Sequence, residues 1–307
     1  MEQAKEQEVD VTLEKDNSSS LPPTGFKVIV REFMKDKLAL FFLGLFIALL
    51  LTIFVGSFFL NEATVMKVSV LARYKAPGYN GLLLGTDGQG RDVFGQIILG
   101  ARNSIIIGFT ITMLTAIIGI FIGIATGYYG GKFDSFVMRI IDFIMILPTL
   151  MIIIVFVTIM PQYNIAHFIV IMTAFFWTGT ARLIRSKVLS EGRLDYVSAS
   201  KTLGSSDLHI MLREILPNLS SLIIVNLTLR FAGNIGIETG LTYLGFGFPN
   251  DVPSLGTLIS AATTTDILVN KTWVWLPATL LIFVLMLCIN YIGQTFQRVA
   301  DAKQRLG

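Results

Sequence analysis

The chain has 307 residues, of which 53% are hydrophobic and 15% charged, with a net charge of +3. Soluble domains carry roughly 25% charged residues, so this shortfall excludes a protein whose whole surface faces water. The apolar stretches are long and continuous rather than alternating over about ten residues, which selects membrane-spanning helices and excludes a β-barrel.

Residues 1–22 hold six acids and two lysines together with Ser18, Ser19 and Ser20. They bury too little apolar surface to offset ordering, and are read as a disordered acidic tail. Residues 23–37 interleave Phe26, Val28, Ile29, Val30, Phe33 and Met34 with Lys27, Arg31, Lys35 and Lys37, the pattern of a short interfacial cytoplasmic helix. A first span is predicted over 38–60, too long an apolar core for a cleaved leader and without a following A-x-A site. A polar external loop over 61–103 follows. Residues 104–307 then form a domain of five further spans, over 104–127, 137–160, 165–183, 219–242 and 273–292. The fold class is all-α, a polytopic membrane protein with six spans.

Six spans place both termini on one side. With this topology fifteen Lys and Arg fall on the side of the termini and of segment 184–217, against six on the other. The positive-inside rule assigns the richer side to the cytoplasm of a cell membrane. Orientation in a bilayer thus accounts for the basic excess beyond the tail, and no nucleic-acid partner is required. The one cysteine, Cys288, lies in an apolar run and reads as a packing thiol.

Several features lie within the spans. Gly119, Gly123 and Gly127 form a flat strip on the second, favouring tight helix packing over a moving contact. In the third, Arg139 and Asp142 are spaced to pair, and Pro148 should kink the helix. The fifth carries Arg230 and Glu238, close to one face. A charge at mid-bilayer costs at least about 2.5 kcal/mol unless it faces a wet cavity or a partner. Asp142, Arg230 and Glu238 are therefore candidate residues of a pathway or of a subunit interface, with neither role preferred.

Catalytic and metal signatures do not emerge. Gly130, Gly131 and Lys132 approach a phosphate loop, but Thr126 stands where G-x-x-x-x-G-K-S/T needs its first glycine and Phe133 where it needs Ser or Thr. His167 and His209 are not spaced with Cys, Asp or Glu as metal ligands. No enzyme activity is expected of this chain, and any ATP-driven step requires a partner ATPase.

The predicted cytoplasmic segment 195–217 is organised. Tyr196 to Leu203 reads as a short helix with Asp195 as its cap and Gly204 as its C′ residue. Ser206 can cap a second helix running from Asp207 to Leu216, with Pro217 as its stop. Leu208, Met211, Leu212 and Ile215 recur at helical spacing and form one apolar stripe. Such a stripe either enters a partner's groove or packs on the protein's own span ends, and spacing alone leaves the two even.

This segment resembles the cytoplasmic signature of ABC importer permeases, E-A-A-x-x-x-G followed at nine residues by I-x-L-P, through Ala199, Gly204, Leu216 and Pro217. Ser198 stands where that signature has Glu, Ser200 where it has Ala, and Glu214 where it has Ile. The stretches Leu84-Gly-Thr-Asp87, Gly90-Arg91-Asp92-Val93, Gly100-Ala-Arg102-Asn-Ser104, Met138-Arg139-Ile-Ile-Asp142, Leu244-Gly245-Phe246-Gly247, Pro253-Ser254-Leu255-Gly256 and Trp275-Leu-Pro277 are similar to the oligopeptide and dipeptide members of that family, and to their C-type subunit in particular.

The resemblance implies a type I importer permease fold with a coupling-helix loop. It implies a homologous second permease enclosing a pathway, and two cytoplasmic ABC ATPases that bind ATP and Mg, this chain holding no cofactor. It also implies an extracellular or lipid-anchored substrate-binding protein delivering a peptide. The coupling residues it implies are Ser198, Ala199, Gly204, Asp207, Leu208, Met211, Leu212, Ile215, Leu216 and Pro217. Alternatives are a permease for dipeptide, nickel or glutathione, and an ATP-independent secondary transporter.

Overall fold

A computed structural model describes residues 31, 33–249 and 251–304. The predicted tail 1–22 lies outside the described residues, as does most of the predicted interfacial helix 23–37. Near its end Phe33 is buried and stacks on Phe296 with ring centroids 4.7 Å apart, tying this segment to the last helix.

Helix α1 is Lys37–Phe58, capped by the Asp36 side chain, which accepts from the backbone N–H of Leu38 and Ala39. Little of α1 is buried within the chain, as expected of a span on the outside of a bundle. Helix α2 is Val93–Tyr129 and begins well ahead of the predicted residue 104. Asp92 caps it, accepting from Phe94 and Gly95. The loop between α1 and α2 is therefore shorter than 61–103.

The predicted third span is broken. Helices α3, Gly131–Ile146, and α4, Thr149–Ile159, meet at Pro148 with a 77° bend. Proline lacks the N–H that would continue the ladder, and Leu147 before it is forced to extended geometry. Helix α5 is Ile165–Glu191. The most extensive interface in the chain joins α2 to α5, and its cause is the glycine strip. A Cβ on Gly119, Gly123 or Gly127 would stand 2.7 Å from Thr180, the Ala181 carbonyl or Val188 respectively. Contact that close needs hydrogen at all three positions, as tight packing predicts.

Helices α6, Asp195–Thr202, and α7, the helical segment 207–218, form the segment after α5. Helix α8 is Ser220–Tyr243, α9 is the short Leu255–Ser260, and α10 is Thr272–Gln304 with Pro277 near its start. Among the described residues five single helices are long and apolar enough to cross a bilayer, and the bent α3–α4 pair brings the number to six if it counts as one broken span. The main core gathers Ile53, Ile97, Ile105, Ile235, Leu255 and Leu285 from α1, α2, α8, α9 and α10. Cys288 is buried.

Candidate functional site

The segment after α5 is a clasped pair of short helices. Leu194 takes the N-cap position of α6, which corrects the expectation of Asp195: Asp195 is the first helical residue, where its charge still favours the helix N-terminus. Gly204 has φ +82°, the left-handed C′ conformation that a Cβ would strain. Ser206 caps α7, accepting from the N–H of His209.

Helix α7 departs from the predicted regular helix. Residues Ile210–Ile215 form π-helical turns, and Pro217 sits inside the final turn Leu216–Asn218 rather than ending the helix. The stripe predicted at 3.6-residue spacing is split between a buried and an exposed side. Ile210, Met211 and Ile215 are buried against Ile124, Ile184, Val188 and Val197, with Leu216 packed at the edge. Met211 and Ile215 thus pack on the protein's own span ends. Leu208 remains 64% exposed and Leu212 39%, and Leu203, the residue after α6, is 86% exposed. Ser198, Ala199, Gly204, Asp207 and Pro217 also lie on the exposed side.

Polar contacts fix the two helices to each other and to the bundle. Ser200 Oγ donates to Glu214 Oε1 at 2.5 Å, joining α6 to α7. Tyr128, at the end of α2, donates to Asp207 at 2.6 Å, and Lys201 Nζ lies 4.6 Å from the centre of its ring. The Tyr196 hydroxyl donates to Glu191 at 2.9 Å. Burial pushes that hydroxyl up from its ordinary range, and the Glu191 carboxylate acts in the same direction.

Two acid–arginine pairs strap α3 to α5. Asp142 pairs with Arg182 of α5 rather than with Arg139. Asp134, which sequence spacing did not single out, is buried and holds the Arg185 guanidinium by two bonds, Nη2 to Oδ2 at 2.5 Å and Nε to Oδ1. The paired residues are far apart in the chain, so no local periodicity could have revealed them.

Glu238 is fully buried within the chain, which places its carboxylate among packed helices and not on a surface. Thr242 donates to it at 2.9 Å and Thr239 at 3.3 Å. Thr242 in turn accepts from the Phe248 N–H at 3.1 Å, so the acid anchors the loop after α8. Arg230 is half-buried on the same helix, and its Nε donates to Asn226 Oδ1 at 3.0 Å.

On the other end of the bundle, the loop between α1 and α2 is built around Asp87 and Thr86, both buried. Asp87 accepts from the backbone N–H of Gln89 and Arg91, from Arg91 Nε at 2.7 Å and from Gln96 Nε2 at 3.1 Å. Thr86 Oγ1 donates to the Ala72 carbonyl and accepts from the Lys75 N–H. This loop and the α9 region flank an open pocket of about 380 Å³ whose lining includes Tyr74, Asp87, Arg91, Thr257 and Ser260. Asp87→Ala removes four acceptor contacts at once, each worth about 1 kcal/mol or more. We expect the loop to become cleavable by added protease while the spans stay intact, as read by fragment sizes.

Comparison with known proteins agrees with this architecture. Residues 119–306 match the family model described as binding-protein-dependent transport system inner membrane component. The chain is 49% identical to the oligopeptide transport system permease protein OppC of Lactococcus lactis over 276 residues, which is 90% of this chain and 94% of the relative. It is 34% identical to the dipeptide transport system permease protein DppC of Bacillus subtilis, over 90% of this chain and 85% of the relative. Among solved structures, an inward-facing form of the MetNI methionine ABC transporter has the same fold, with a TM-score of 0.54 at 19% identity, over 67% of this chain and 97% of that one. The chain belongs to the family of binding-protein-dependent transport system inner-membrane components.

Proposed function

We propose that this chain is a permease subunit of an ATP-binding-cassette importer of oligopeptides. It encloses the translocation pathway together with a homologous second permease. Two cytoplasmic ATPases bind ATP and Mg, and one of them grips the α6–α7 pair. A substrate-binding protein outside the cell delivers peptide to the outer loops. Both termini face the cytoplasm, in line with the charge distribution.

The carrying observation is that Leu203, Leu208 and Leu212 stay exposed on a helix pair held to itself and to the bundle by the Ser200–Glu214 and Tyr128–Asp207 bonds. A rigid body with an apolar edge transmits displacement; it has no chemistry of its own to perform. The resemblance to OppC at 49% identity favours oligopeptide over dipeptide, whose permease relative stands at 34%.

The test is purification of the tagged chain with its partners, followed by reconstitution into vesicles with the binding protein. Peptide uptake is expected with ATP and not with a proton or sodium gradient alone. Gradient-driven uptake without ATP, or purification without any ATPase, would falsify the proposal.

A further inference from the structure

Arg230 lies in the middle of α8, a helix apolar enough to span the bilayer. Among the described residues no carboxylate lies within ion-pair distance of its guanidinium. Nε is bonded to Asn226, and the Nη2 side lies over Gly179 of α5, where a Cβ would come within 2.5 Å. The guanidinium is thus oriented from two sides while both Nη groups keep donors to spare.

One flank of the Arg230 face is open. Gly233 and Gly240 follow it at three and ten residues, on the same side of the helix. Both are exposed, and a Cβ on either would meet nothing within 4 Å. Lipid is a poor neighbour for this face, because a mid-span guanidinium in hydrocarbon costs at least about 2.5 kcal/mol. The interface is roughly 15 Å away along the helix, farther than the side chain reaches. The other charged groups singled out within spans offer no counter-charge, since Asp142 is engaged by Arg182 and Glu238 is sealed among threonines.

We infer that the Arg230 face of α8 lines the aqueous pathway, and that Arg230 receives the C-terminal carboxylate of the peptide as it passes the middle of the membrane. This rests on the peptide-importer reading above. A free pair of Nη donors in a low-dielectric wall matches a carboxylate. Asn226 and Gly179 hold the fork without neutralising it, so the site recognises the terminus common to all peptides.

The test uses the whole reconstituted transporter and two peptides that both bind the isolated binding protein, one with a free C-terminus and one amidated. Arg230→Gln should lower uptake of the free-acid peptide at least about tenfold, the loss of one charge-assisted contact. Uptake of the amidated peptide should stay within about twofold of wild type. In parallel, Arg230→Cys should react with a membrane-impermeant maleimide in the assembled transporter, against a low background because Cys288 is buried. Equal loss of both peptides, loss of the second permease on purification, or an inert cysteine would overturn the assignment to Arg230. Wild type taking up neither peptide would instead sink the peptide reading itself.

Discussion

Replacing Leu203 and Leu208 together with aspartate is expected to release the ATPases while the chain still folds and inserts. These two side chains are 86% and 64% exposed, so the free permease gives up almost no packing when they change. In the assembled importer each would bury a leucine worth roughly 1.5–3 kcal/mol. Losing both, at 1.4 kcal/mol per tenfold, weakens docking by at least about a hundredfold. Ile215→Asp is the contrasting variant. Ile215 is fully buried among Ile184, Val188 and Val197, and a carboxylate there loses the packing and enters an apolar site, at a cost above about 4 kcal/mol. That variant should fail to accumulate as folded protein. The measurements are co-purification of the ATPases and the monodispersity of the detergent-solubilised permease. Undiminished ATPase recovery with the double aspartate variant would refute docking through these leucines, and a well-folded Ile215→Asp would refute the burial of Ile215 against the span ends.

Ser200→Ala is expected to uncouple the two short helices, and a second substitution is expected to restore them. The Glu214 carboxylate accepts from Ser200 through Oε1, and its Oε2 is buried with no partner. Removing the hydroxyl leaves a half-buried carboxylate without its donor, a cost of roughly 1–3 kcal/mol. Most of this should appear as loosening of α6 against α7, because nothing else bonds Glu214 across the pair. Replacing both partners by apolar residues, Ser200→Ala with Glu214→Ile, removes the stranded group and restores packing. Glu214→Gln alone keeps an acceptor for Ser200 and should behave as wild type. The readout is peptide taken up per ATP hydrolysed in vesicles, with ATPase recovery as the control for docking. The single alanine should lower that ratio while the double variant regains it. Equal ratios in all three variants would show that the clasp carries no force.

Much of the architecture was legible in the chain itself. Long apolar runs specify spans because the bilayer leaves backbone groups no other partner. Pro148 marks a break because proline cannot continue the ladder, and the bend of 77° stands there. Gly204 marks the turn between the short helices because its left-handed conformation disfavours any side chain. The glycine strip of α2 told where a second helix would come closest, and α5 fills that place.

Other features depend on elements distant in the chain. The span was placed from residue 104, yet the helix begins at Val93, where Asp92 caps it and Gln96 bonds to Asp87 of the folded outer loop. The pairing of Asp134 with Arg185, and of Asp142 with Arg182 instead of Arg139, follows from how α3 lies against α5.

Sequence by itself determined that the chain lives in a bilayer, that it is built of several apolar helices, and where its short helical pair sits, since each follows from local solvation and backbone chemistry. Only the tertiary structure decided which side of that pair is free. The stripe read at 3.6 residues per turn is divided in the folded chain: Ile210, Met211 and Ile215 of α7 turn inward, and Leu208 and Leu212 stay outside. The surfaces that cover those three residues come from Ile124, Ile184, Val188 and Val197 on other helices, and spacing within α7 cannot encode which of its edges they meet.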